Sequence, residues 1–198
     1  MKERATGDRF VIGSNHVLAG VNQSTLNRDR VRQPGAGDGG TLADVFGTLV
    51  DYVPIKLGGY YTNEVDAALA ELDDTNDVER GIRSIGDITG VAAPLSYGDR
   101  VKKMGWRTQY TEGTFRYKVD FETEFVGIGK ATFVNQYGVV GDDATTGFAL
   151  LGDSGAGVLT ESADELAGIV IGVADGLNLT LVSPIDPVLR TFGVEPVL

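Results

Sequence analysis

The sequence predicts an all-β protein, and two observations carry that reading. Glycine is abundant, at 28 of 198 residues, and falls in short clusters between apolar stretches, which suits many strands joined by tight turns better than a helical bundle. From Arg100 onward the pattern reads as strands of five to eight residues, at 100–104, 115–122, 124–129, 131–135, 156–160, 166–173 and 179–183. That spacing fits a sandwich or a barrel.

Taken in chain order, Thr6-Gly7-Asp8 is a turn signal and Arg9-Phe10-Val11-Ile12 a strand, with His16, the only histidine, just beyond. Residues 33–40 hold too many turn formers for regular structure and read as an exposed loop. Phe46 to Ile55 resumes a strand-like run. Glu64 to Leu72 fits neither the helical nor the strand period, so a short amphipathic helix and a buried strand both remain open. The polar run Asp73-Asp74-Thr75-Asn76-Asp77 lacks the alternating acids and glycine of a calcium loop and reads as a solvated connection. A boundary in 73–95 divides the chain into residues 1–85 and 86–198, two halves of one domain overall. Asp186 to Phe192 reads as a terminal helix, with Pro187 early and Gly193 as its stop.

Composition narrows the function. A hydrophobic fraction of 42% excludes global disorder, and a net charge of −11 without a basic stripe excludes a nucleic-acid surface, which needs clustered Lys and Arg. An acidic excess keeps a protein soluble and is what a high-salt cytoplasm favours, so a halophilic source is an expectation. The absence of cysteine removes disulfides, zinc-thiolate sites and thiol nucleophiles. Met1-Lys2-Glu3-Arg4 lacks the apolar run of a signal peptide, and no stretch approaches a membrane span, so a soluble intracellular protein is expected.

The chemistry gathers at Gly152-Asp153-Ser154-Gly155. A serine nucleophile needs a base to take its proton, a carboxylate to hold that base, and amide donors for the developing oxyanion. His16, Asp66 and Ser154 are the candidates for base, carboxylate and nucleophile. The amides of Gly152 and Ser154 are the candidate oxyanion hole, because glycines allow a tight turn with no side chain in the way. Asp51, Asp73 and Asp74 compete with Asp66 but lack its Asn-Glu-Val-Asp-Ala-Ala setting. Trp106 reads as core or loop packing, and Asn178-Leu179-Thr180 as a strand sequence rather than a glycosylation site.

With these residues in view the chain resembles the chymotrypsin/trypsin-like serine protease superfamily, in its microbial branch. The shared elements are Ser14-Asn15-His16-Val17-Leu18-Ala19, Gln33-Pro34-Gly35 with Asp38-Gly39-Gly40, Val53-Pro54-Ile55, Asn63 with Val65-Asp66-Ala67-Ala68, Val101-Lys102-Lys103-Met104-Gly105, Gly152 to Gly155, and Ser183-Pro184-Ile185. The order His, Asp, Ser is also that of the superfamily. The resemblance implies two packed antiparallel six-stranded β-barrels and a short C-terminal helix, with His16 and Asp66 on the first barrel and Ser154 on the second. It implies a serine endopeptidase that acts on a polypeptide through an acyl-enzyme, with no cofactor or metal and no nucleic-acid or membrane partner, in the cytoplasm or a virion. Substrate backbone would pair with the strand edge at Ile171, Gly172 and Val173, and Phe148, Ala149, Leu150 and Leu151 would complete the side-chain pocket. Neither stretch is acidic, which points to small or apolar side chains.

Two departures from the family carry expectations of their own. Fifteen residues precede His16, so the first barrel is expected to lack an opening strand or two, an edge that an oligomer or assembly partner would complete. The chain begins with Met1 and not the apolar residue of a processed zymogen, so Asp153 must find another partner. The alternative function is a catalytically inactive protease-like fold that serves as a structural or binding module in an assembly such as a virion.

Overall fold

The computed structural model describes residues 1–3, 7–75, 78–79, 81–174 and 176–198. Thr6 of the first turn and Asn76 and Asp77 of the acidic run lie outside the described residues. The strands in chain order are β1 (Lys2–Glu3), β2 (Phe10–Gly13), β3 (Arg30–Arg32), β4 (Val45–Tyr52), β5 (Thr62–Asn63), β6 (Ala68–Leu72), β7 (Gly90–Val91), β8 (Arg100–Gly105), β9 (Gln109–Phe125), β10 (Gly129–Gly141), β11 (Gly157–Thr160), β12 (Glu165–Ala174), β13 (Leu179–Pro184) and β14 (Val194–Glu195). Two helices, α1 (Asn15–Leu18) and α2 (Ile185–Phe192), complete the regular structure with two single turns of 3₁₀ helix.

The second lobe is a ring of pairings. Antiparallel ladders run β11–β8–β9–β10–β13–β12, and β12 pairs back onto β11, so six strands each have two neighbours. Strand β8 shows how sequence sets this up: Val101, Lys103 and Gly105 are buried while Arg100, Lys102 and Met104 alternate outward, the period of two of a half-buried strand. Strand β12 is apolar on both faces because it separates two cores. Ala167 and Val170 pack inside the second lobe, while Leu166, Ile169 and Ile171 pack between the lobes.

The first lobe is a four-stranded antiparallel sheet in the order β2-β6-β4-β3, not a ring of six. Its own core is small, built on Ala19, Val31, Leu49, Ala68 and Ala70. Glu64 to Leu72 resolves as extended chain ending in β6. Ala68 and Ala70 face that small core while Ala67 and Leu69 face the interlobe core, so small apolar residues occupy both faces and blur the period. The expected separate strands 115–122, 124–129 and 131–135 are corrected to one long hairpin. β9 has 17 residues and β10 has 13, and the turn falls at Val126–Ile128, inside a predicted strand. The terminal helix is placed as expected, with Gly193 in the left-handed region at its end.

Three ties cross from the second lobe to the chain just before Asp66. β5 pairs in parallel with Thr132–Phe133 of β10. The Asn63 amide donates to the carbonyls of Thr132 (3.1 Å) and Lys56 (3.0 Å), and its oxygen accepts from the Lys56 N–H (2.8 Å). Ser183 donates to buried Gln136 (2.7 Å), whose amide donates to the Glu64 carbonyl (2.8 Å). Replacing Asn63 with alanine leaves these partly buried backbone groups without their side-chain partner, so Asn63→Ala should lose about 2 kcal/mol of unfolding free energy in chemical denaturation.

Candidate active site

His16 sits on the single turn α1, which its neighbour fixes. Asn15 is fully buried, its amide donates to Val53 O (2.7 Å) and Asn22 Oδ1 (2.8 Å), and Asn22 in turn bonds both the N–H and the carbonyl of Ile55. This network ties Asn15 to Val53-Pro54-Ile55, which lie 38 or more positions further along the sequence. The Asp66 carboxylate, with its side chain only 2% exposed, accepts from the His16 backbone N–H at 3.1 Å and meets His16 Nδ1 at 2.5 Å. With Nδ1–H held by the carboxylate, Nε2 is the ring nitrogen free to accept a proton. Phe125, at the tip of β9, covers the imidazole with ring centroids 6.0 Å apart.

Ser154 lies on the turn that enters β11. Gly155 has φ of +91°, a left-handed conformation that favours glycine, and its Cβ position lies at ordinary contact distance, 3.4 Å, from Gly13 Cα and Ser14 N, so this turn packs against the chain that leads into His16. Two bonds onto the Val170 carbonyl lock the junction, one from the Gly155 N–H (2.7 Å) and one from the Ser14 hydroxyl (3.2 Å). The Asp153 N–H is taken by Leu150 O, whereas among the described residues no acceptor takes the Gly152 or Ser154 N–H. Among the described residues no hydrogen bond joins Ser154 Oγ to His16, an arrangement common in unliganded sites of this chemistry.

Asp153 finds its partner inside the second lobe. Its carboxylate accepts from the Arg107 N–H (2.6 Å), the Thr108 N–H (3.3 Å) and hydroxyl (2.7 Å) and the Leu150 N–H (3.1 Å), and it pairs with the fully buried Lys103 ammonium at 3.6 Å. The Met1 nitrogen donates to Phe10 O. Burial pushes the Asp153 carboxyl up, but the Thr108 hydroxyl, the Leu150 amide, the Lys103 charge and the Arg107 amide outweigh it and hold it below the ordinary carboxylate range. Burial also holds Lys103 below the ordinary lysine range despite the Asp153 charge. A Cβ at Gly105 would fall 2.3 Å from Asp153 Oδ1, so that glycine makes room for the carboxylate. Lys103 was not a sequence candidate, although its alternation with Val101 and Gly105 places it on the core face.

No protein-family model and no curated protein matches the chain. Solved structures do match. A glutamic-acid-specific serine protease is 20% identical over 98% of this chain and 90% of its own, with a TM-score of 0.64. Thermobifida fusca Protease A is 17% identical over 99% and 87%, with a TM-score of 0.62. Cellulomonas bogoriensis chymotrypsin is 16% identical over 94% and 84%, with a TM-score of 0.61. The chain has the chymotrypsin-like fold.

In this chymotrypsin-like frame the other candidates divide. Ala149 and Leu150 join Val173 in a cavity of about 450 Å³ that also includes Asn178 and Thr180. Ile171, Gly172 and Val173 line a second cavity of about 180 Å³ with Asp66, Phe121 and Phe125. Phe148 is corrected from cavity wall to core: it is fully buried, with Lys103 Nζ 5.7 Å from its ring centre. Leu151 projects into solvent. Trp106, read as core or loop packing, takes the loop alternative: it is 61% exposed on the 106–108 turn and lines a cavity with Gly152 and Ser154.

Removing the Lys103 charge leaves a buried carboxylate unpaired, so Lys103→Met should cost about 3–5 kcal/mol in denaturant unfolding, and the double variant with Asp153→Asn should recover part of it. Because the folded-state pKa of Asp153 lies below the ordinary value near ~3.9, its stabilising share is present above that value and lost as pH falls through the lowered one. Asp153→Asn should therefore flatten the acid limb of the stability profile.

Proposed function

We propose that the protein is a serine endopeptidase. Ser154 Oγ attacks the carbonyl of the scissile peptide bond as His16 Nε2 takes its proton, and the Gly152 and Ser154 amides receive the oxyanion. His16 then gives the proton to the leaving amine, and water resolves the acyl-enzyme by the same exchange. Asp66 holds the imidazole in the tautomer that leaves Nε2 basic. The observation that carries the reading is the 2.5 Å contact between His16 Nδ1 and a buried carboxylate, beside a turn whose two amides are unspent.

The acyl half of the substrate lies along β12. Its residues 172–174 pair on one side with β13, Ile171 falling in a register shift, and among the described residues their other edge carries no strand, which suits addition of an extended peptide. All described residues lining the 450 Å³ cavity are uncharged, which supports small or apolar side chains before the scissile bond over Lys or Arg. One structural neighbour takes glutamate and uses a histidine triad in substrate binding. A chain with a single histidine has no such triad.

A fluorophosphonate probe should label wild type at Ser154 and fail on Ser154→Ala. Cleavage of a peptide library should vanish in Ser154→Ala and fall by about 10⁴-fold in Asp66→Asn, which keeps the shape of the site and loses the tautomer control. A folded protein that neither labels nor cleaves would instead be a protease-like binding module.

A further inference from the structure

Strand β9 outruns its neighbour. Its residues 109–114 pair with β8 and Phe115 bonds to Gly98 and Asp99, but from there to Phe125 no strand among the described residues lies on that side. A long open strand edge is a template for another strand, and proteins that keep such an edge single shorten it, cover it or load it with charge. Here the charge is of both signs and in a particular order. Exposed Lys118, Asp120, Glu122 and Glu124 alternate with half-buried residues, of which Val119 and Phe121 pack toward the interlobe core. Arg116 and Lys118 stand at one end of the run and three carboxylates at the other.

That order is self-complementary. Two identical antiparallel strands related by a two-fold axis normal to the sheet can shift only in steps of two residues, because facing side chains must share a face. With the axis at Val119, Lys118 of each copy faces Asp120 of the other, Arg116 comes toward Glu122, and Tyr117 faces Phe121 on the opposite side. No like charges meet. An axis at Lys118 sets two ammonium groups together, an axis at Asp120 sets two carboxylates together, and an axis at Phe121 sets Asp120 against Glu122. Among the described residues Lys118 has no hydrogen-bond or ion-pair partner, and Asp120 accepts the Asn135 N–H (2.8 Å) at only one of its oxygens. We infer that β9 is a self-pairing edge, on which a second copy of this chain adds antiparallel about Val119 and joins two second lobes in one continuous sheet. One strand from each copy buries less than the roughly 1,200 Å² of a standard interface, so the dimer is weak and forms with rising concentration. It requires nothing of the catalytic residues.

Charge exchange tests the pairing and its register together. Sedimentation equilibrium of the full chain, from micromolar to millimolar concentration, should show a monomer–dimer equilibrium. Lys118→Glu sets carboxylate against carboxylate twice and Asp120→Lys sets ammonium against ammonium twice, so each alone should weaken the dimer by about tenfold or more. Asp120→Lys also lowers the net negative charge of −11, so its effect runs against the change in overall repulsion. An equimolar mixture of the two variants restores both facing pairs and should dimerise as wild type does, and so should the double variant. A wild type that stays monomeric throughout, or a mixture that associates no better than either variant alone, would overturn the self-pairing edge.

A cross-link reads the register without touching a charge. The chain has no cysteine, so Val119→Cys, brought face to face with itself on the axis, should oxidise with diamide to a disulfide dimer about tenfold or more faster than Leu42→Cys, an exposed position on the first lobe. Equal rates would sink the proposal. Where far-UV dichroism shows that Asp120→Lys does not fold, this comparison decides alone.

Discussion

The carboxyl of Asp66 serves His16 only while the two stay within one hydrogen bond of each other, and neither is held there by its own lobe alone. Asn63 and Glu64, just upstream of Asp66, are fastened to Thr132 and Gln136 of the second lobe. Ser14 and Gly13, just upstream of His16, meet Val170 and Gly155 of the same lobe. The first lobe has four strands and a small core, and so depends on these polar ties and on the apolar core it shares with the second. A sheet so short gains much of its definition from what it packs against.

A second constraint sits behind the serine. The Gly152 and Ser154 amides, which the proposed oxyanion hole would use, have no acceptor among the described residues, and Asp153 between them is buried. A buried carboxylate is tolerated only when its oxygens are satisfied. The Arg107–Thr108 turn, the Leu150 amide and Lys103 do this together, and a buried ion pair of this kind contributes geometry more than net stability. The same turn carries Trp106 on its outer side.

Much of this was legible in the sequence because it is local. The Asn-Glu-Val-Asp-Ala-Ala and Gly-Asp-Ser-Gly contexts singled out Asp66 and Ser154, the lone histidine admitted no rival, and the glycine clusters gave the strand-rich class. What stayed hidden was set by tertiary contact. The span 64–72 carries small apolar residues on both faces, so no period could choose its state until two cores were seen to flank it. Phe148 went to the core, and Trp106 to the loop rather than the core alternative, because hydrophobicity alone cannot say which aromatic a turn holds outward. Lys103 was hidden by its charge, which argues for the surface unless the alternation of β8 is followed through.

On the peptidase reading proposed above, the edge of β12 at residues 172–174, which pairs with β13 on one side only among the described residues, would offer backbone donors and acceptors that are indifferent to sequence. Selection would then fall to the cavities beside that edge, whose linings carry the side chains that differ from one chain to another.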